Sequence, residues 1–140
     1  MSRSGYTDDD NDDGYFAMWR GQVASAIRGK RGQALLREMI TTLDAMPDKR
    51  LIASELIKDG EVCALGCIGR SRGLEMQDMD PDDHDQLGAV FNVAPQLIAE
   101  IEFINDESWG AVTPSEARWM KVRKWAQSHL KAATPLERTP

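Results

Sequence analysis

The segment YFAMWRGQVASAIRGKRGQALLREMITTLDAMP, residues 15–47, holds two amphipathic patterns on either side of a basic, glycine-punctuated turn. In its first half Phe16, Trp19, Val23 and Ile27, with Ala26 beside the last, recur every three or four residues, the spacing that lines one face of a helix. This predicts a helix over residues 15–28. In the second half Leu35, Leu36, Met39, Ile40, Leu43 and Met46 form a similar stripe, which predicts a helix over residues 32–46, with Pro47 just beyond its end. Gly29 is expected at the left-handed position that closes the first helix, because it has no Cβ to clash there. The two helices should then form a hairpin or a corner.

Downstream, residues 51–58, Asp59-Gly60 and residues 61–65 read as two short strands joined by a tight turn, since Asp-Gly tolerates positive φ. Ala53-Ser54-Glu55-Leu56 equally suits a helical turn. Ala64, Gly66 and Gly69 suggest that the second strand runs into a short, closely packed helix ending near Gly73. A lone hairpin is marginal in water, so it must lean on the helices. Asp80-Pro81 followed by Asp82 and Asp83 reads as a helix start: an aspartate cap, a proline in the first turn and acids at the positive end of the helix dipole. That helix should reach Phe91 and break at Asn92-Val93-Ala94-Pro95. A further helix over residues 96–104 carries Leu97, Ile98, Ile101 and Ile104. Thr113-Pro114-Ser115-Glu116 has the form of a capping box. It opens a last helix with Trp119, Val122, Trp125, Ala126 and Leu130 inward and Lys121, Lys124 and Lys131 mostly outward. The expected class is mainly α (α+β): about five helices and one small β-hairpin.

Length and composition set the frame. With 140 residues and 41% hydrophobic content the chain can build one modest core. Residues 1–14 are acidic with almost no apolar side chains and are expected to be a disordered arm; residues 15–132 form one domain and residues 133–140 a flexible tail. The longest apolar run, residues 62–68, is too short to cross a bilayer. An acidic start is unlike a signal peptide, so a cytoplasmic location and no membrane partner are expected. Charge is segregated: one Arg against five Asp over residues 1–13, a net +4 over 14–50, −10 over 51–110 and +4 over 111–140. The overall −6 thus conceals a bipolar molecule.

Cys63 and Cys67 read as small hydrophobes, and with His84 and His129 isolated in sequence neither a metal site nor a Cys-His nucleophile is expected. No cofactor is implied. Asp78, Asp80, Asp82, Asp83 and Asp85 lack the glycine and the closing glutamate of a calcium loop. Glu100 and Glu102 fall on different faces of their helix, and Asn105-Asp106-Glu107 reads as a helix-ending turn. The turn at Arg28–Gly32 has two readings. In one, Arg28 and Lys30 satisfy the negative end of the first helix. In the other, the free amides opening the second helix, ringed by Arg28, Lys30 and Arg31, receive phosphate or carboxylate; the spacing is not that of a Walker loop. A second basic surface comprises Arg118, Lys121, Arg123, Lys124 and Lys131. Trp119 and Trp125 have core spacing, so base stacking is weakly supported.

Taken together, RGQVASAIRGKRGQALLREM (residues 20–39), GEVCALG (60–66), MDPDD (79–83), AEIEFINDE (99–107) and TPSEARWMKVRKW (113–125) resemble small uncharacterised proteins of tailed bacteriophages and prophages. The resemblance covers most of the chain outside its two ends. It implies a phage setting and no assigned activity. The expectation is a non-enzymatic accessory protein that binds and inhibits or redirects a host protein or nucleoprotein complex, in the manner of a counter-defence (anti-CRISPR-like) protein. Its contact residues are expected among Arg20, Arg28, Lys30, Arg31, Arg118, Lys121 and Lys124. The alternative is direct binding of nucleic acid or a phosphate-bearing nucleotide through the same basic junction.

Overall fold

The computed structural model describes residues 13–106 and 114–131. These form α1 (Asp13–Arg28), α2 (Lys30–Ala45), β1 (Ile57–Lys58), β2 (Glu61–Val62), α3 (Ala64–Ser71), α4 (His84–Phe91), α5 (Pro95–Asp106) and α6 (Ser115–Ser128). The fold is mainly α with a single antiparallel hairpin, in which Ile57 pairs with Val62 and Lys58 with Glu61. The acidic arm up to residue 12, the tail from residue 132, Thr113 of the expected capping box and the Phe16 side chain lie outside the described residues.

The apolar stripes read from the sequence are the stripes that are buried. Val23 and Ile27 of α1, Leu35, Leu36, Met39 and Leu43 of α2, and Val122, Trp125 and Ala126 of α6 enter one core, with Trp19, Ile40, Trp119 and Leu130 packed against it. Each fully buried Leu or Ile contributes roughly 1.5–3 kcal/mol relative to exposure. α5 occupies the centre, touching α1, α3, α4 and α6. It lies at 103° to α4, from which it is parted by Asn92, a left-handed residue capping α4. α2 and α6 run antiparallel: Trp119 Nε1 donates to the Leu43 carbonyl near one end, while Gln33 meets His129 and Lys131 at the other. No single helix among the described residues is long and apolar enough to cross a membrane.

Several boundaries differ from the sequence reading, each for a local reason. α1 begins at Asp13, so Asp13 and Gly14 belong to the helix and not to the arm. The strands are two residues each, because Cys63 already caps α3, its sulfur accepting from the Gly66 amide. Asp80 and Pro81 do not start α4. The Asp80 carboxylate accepts from the Asp82 amide to make a local turn, and Asp83 caps the helix through Gln86. Asn105 and Asp106 are the last two residues of α5, and Glu107 of the expected helix-ending turn lies outside the described residues. Pro114 is the cap of α6, not its first residue.

The most consequential correction concerns Gly29. It is not left-handed: φ is −70° and ψ 165°, an extended residue that serves as the cap of α2. α2 therefore begins at Lys30, two residues earlier than the periodicity predicts, and a single extended residue separates two 16-residue helices. The glycine that this corner requires is Gly32. A Cβ built there would lie 2.0 Å from the Ala26 carbonyl oxygen, so α1 and α2 cross in backbone contact.

Candidate functional site

The early start of α2 changes the meaning of the basic turn. Arg28 lies in the last turn of α1, where a cation suits the helix dipole. Lys30 and Arg31 lie in the first turn of α2, where it does not. That turn holds no acidic residue, and the cap, Gly29, offers no side chain to its amides. Cations at the positive end of a helix are disfavoured by about 0.3–1 kcal/mol each. The bland account of the turn thus explains Arg28 and leaves Lys30 and Arg31 in an electrostatically adverse place.

Gln33 joins this corner to the end of α6. Its buried amide nitrogen donates to the carbonyls of Ile27 at 2.8 Å and His129 at 3.0 Å, and its oxygen accepts from the Lys131 amide at 2.9 Å. Lys131 is consequently held beside the α1–α2 junction. Among the described residues, Arg28, Lys30, Arg37, Lys124 and Lys131 are exposed and have no carboxylate within ion-pair distance. Arg31 donates to a neutral partner, Asn92 Oδ1, at 3.2 Å. From the register of Gln33 with His129 and of Asp44 with Arg123, Arg37 sits about level with Gln127. Arg28, Lys30 and Lys131 thus gather at the α1–α2 junction, while Lys124, next to Arg123, lies toward Asp44 at the other end of α2. Arg37 was missed in the sequence because it belongs to no cluster there; only the antiparallel register brings it in.

Other basic residues are consumed elsewhere. Arg20 grips Glu100, Nη1 to Oε1 at 2.7 Å and Nη2 to Oε2 at 3.4 Å, so its charge is largely neutralised. Arg118 is only 4% exposed and donates to the Asn105 carbonyl. It belongs to the interior, and its place in the expected contact surface is corrected accordingly. Lys121 is exposed, as expected. Arg123 makes a two-point pair with Asp44 at 2.6 and 2.9 Å, and Arg72 one with Glu38 at 2.9 and 2.6 Å. Hydrogen bonds from these guanidiniums hold the Asp44 and Glu38 carboxyls below the ordinary carboxylate range. For Glu38 the sign is that of a depressed folded pKa: its small contribution is present above the unfolded value and is lost as pH falls through the folded one. The Glu38 carboxyl resonance should titrate below the ordinary value and move up to it in Arg72→Ala; an unmoved midpoint would discount the pair.

Two depressions border these elements. One, of about 430 Å³, lies where α1, α2 and the α4–α5 corner meet, with Gln22, Gly29, Arg31, Ala94 and Gln96 on its wall. The other, of about 440 Å³, opens between the end of α2, the hairpin and α3, with Thr42, Asp48, Arg50, Cys67 and Arg70 around it. Cys63 and Cys67 are free thiols and buried, and burial holds the Cys67 thiol above its ordinary pKa, which disfavours the thiolate a nucleophile needs. Among the described residues no group of three His, Cys, Asp or Glu side chains is placed to hold a metal ion. No protein-family model, curated protein or solved structure matches the chain.

Proposed function

We propose that this is an accessory protein of a tailed phage or prophage that works by binding, not catalysis. In this reading its cationic end seats on an acidic surface of a host protein or nucleoprotein complex in the host cytoplasm and inhibits or redirects it, a defence complex being the class of target intended. The observation that carries the reading is the position of Lys30 and Arg31: the fold accepts two cations at the positive end of α2, beside Arg28 and Lys131, with no carboxylate among the described residues within ion-pair distance. A local rule broken at a cost in stability is best explained by a contact made outside the molecule. The motif resemblance to tailed-phage proteins supports the setting.

The same observation supplies a test that separates function from structure. Lys30→Glu places an acid in the first turn of α2, so its melting temperature should equal or exceed that of the wild type by a degree or two. Affinity capture from phage-infected host cells should nevertheless lose the partner retained by wild-type protein. A variant that captures the same partner to the same extent would overturn the proposal.

A second reading, direct binding of nucleic acid or a phosphate-bearing nucleotide, is favoured by the depression beside Gly29, Arg31 and Ala94, where the beginnings of α2 and α5 meet. Its mark is a steep loss of affinity for a DNA duplex with added salt, or thermal stabilisation by a nucleotide. Salt-insensitive behaviour with neither effect would eliminate it.

A further inference from the structure

Met120 is 64% exposed and stands on the side of α6 that faces away from the core. Two depressions meet at it. One, of about 420 Å³, runs along Trp119, Arg123, Lys124 and Gln127; the other, of about 610 Å³, runs along Asp48, Lys49, Arg50, Glu116 and Trp119. The arginines are already matched, Arg123 with Asp44 at 2.6 Å and Arg50 with Glu61 at 3.6 Å. On the helical stripe through Met120 the remaining charges are Glu116 and Lys124, one turn to either side of it. Both are exposed, and neither has an opposite charge within ion-pair distance among the described residues. Asp48 and Lys49, adjacent in the chain, add one charge of each sign.

We propose that this face of α6 pairs with the same face of a second copy, the two helices antiparallel about a two-fold axis beside Met120. Such an axis sets residue 116 of each copy level with residue 124 of the other, so Glu116 meets Lys124 twice in one dimer while the two Met120 side chains lie together at the axis. Each charge finds its opposite. A parallel pair would set like charges side by side, and a partner of one sign would fare no better: an acidic segment would meet Glu116 and Asp48, a basic one Lys124 and Lys49. The hollows obey the same symmetry. The one on the Glu116 side of each copy lies over the one on the Lys124 side of the other, which leaves room for two thioether side chains that adapt to irregular space. Because Gln33 ties the end of α6 to the α1–α2 junction, an antiparallel pair also carries its two cationic junctions at opposite ends, clear of each other and of the contact. The stripe from residue 116 to residue 124 is about 12 Å long. That is a small contact beside the roughly 1,200 Å² of a stable interface, so the dimer should form only at chain concentrations of about 100 µM or above.

Sedimentation equilibrium of the full chain at low salt, from about 10 µM to about 1 mM, should show monomer passing to dimer. Met120→Ser should weaken the association about tenfold, the scale of one seated apolar side chain, with an unaltered melting curve. Lys124→Glu, which sets two like-charge pairs across the axis, should weaken it at least as much. The double variant Glu116→Lys with Lys124→Glu exchanges the two charges and restores opposite pairing, so it should recover most of what Lys124→Glu loses. A merely adhesive surface would show no such recovery. Should the double variant fail to fold, because Glu116 suits the first turn of α6, Met120→Ser and Lys124→Glu still decide the matter. A chain that stays monomeric over the whole range overturns the proposal. A dimer that ignores both single variants lies on another face and overturns it as well, as does a folded double variant no better than Lys124→Glu. A monomer that instead binds a glutamate-rich peptide, with loss in Met120→Ser and Lys124→Glu, gives the face to an acidic segment. None of these outcomes bears on the cationic junction, whose test is Lys30→Glu.

Discussion

Gly32→Ala should lower the stability of the protein by about 3 kcal/mol and its melting temperature by roughly 10 °C, although it adds one methyl group and raises helix propensity. Alanine in place of glycine normally stabilises a helix interior by up to about 1 kcal/mol. Here the new Cβ would stand 2.0 Å from the Ala26 carbonyl oxygen and 3.1 Å from that of Ile27. Both are backbone atoms of the last turns of α1, so no rotamer change can relieve the overlap and the two helices must part. Gly29→Ala is the control: its Cβ would meet nothing closer than 3.7 Å, and its φ of −70° suits any L-residue. It should melt within about 1 kcal/mol of wild type. Thermal melts of the two variants decide the matter, and equal melting would show that the corner has more slack than its geometry implies. Functionally, parting α1 from α2 strains the Gln33 bridge between Ile27 and His129. On the binding reading proposed above, a mildly destabilised Gly32→Ala that still folds should capture less partner through a displaced Lys131.

That contrast shows where sequence reading reaches its limit. Two glycines three residues apart both mark a turn, but periodicity cannot say which marks a bend and which a close approach of two backbones. By comparison α1, α2, α5 and α6 were legible because their apolar residues repeat at the helical period and that period decides which face is buried. The start of α4 was obscured by an excess of capable caps: Asp80, Asp82 and Asp83 are chemically equivalent, and only the turn closed by Asp80 leaves Asp83 as the cap.

For the candidate site the outcome divides in the same way. Arg28, Lys30, Lys121 and Lys124 are exposed, as their place in the sequence suggests. Arg118 is not, and the signal was present: it precedes Val122 by four residues and Trp125 by seven, which places it on the inner stripe of α6. Arg20 likewise precedes Val23 by three and Ile27 by seven, at the edge of the inner face of α1, where Glu100 reaches it. The partner of Arg20 could not be read, because an ion pair across 80 positions depends on which helices pack together and not on local spacing.

The buried carboxylates of α5 follow from its central position, and they support the second large expectation: His84→Ala should destabilise the fold by about 3 kcal/mol or more. Glu100 and Glu102 point to different sides of α5, as their spacing requires, but a helix surrounded by α1, α3, α4 and α6 has no solvent side to offer them. Glu100 turns to Arg20, while Glu102, 1% exposed, meets His84 Nε2 at 2.8 Å across the α4–α5 contact. A carboxylate in such a place depends on its polar neighbours, so removing the imidazole costs far more than the pair contributes on balance. The sign of the double replacement separates this from simple loss of packing. His84→Leu with Glu102→Leu removes both polar groups and should recover most of the stability lost in His84→Leu or Glu102→Leu alone, since a buried polar pair is often no better than well-packed hydrocarbon. Chemical denaturation of the four proteins gives the coupling directly. If the double variant is as unstable as the sum of the two singles, His84 serves α4 by packing alone; if it approaches wild type, the histidine is there to accommodate a buried acid at the centre of the fold.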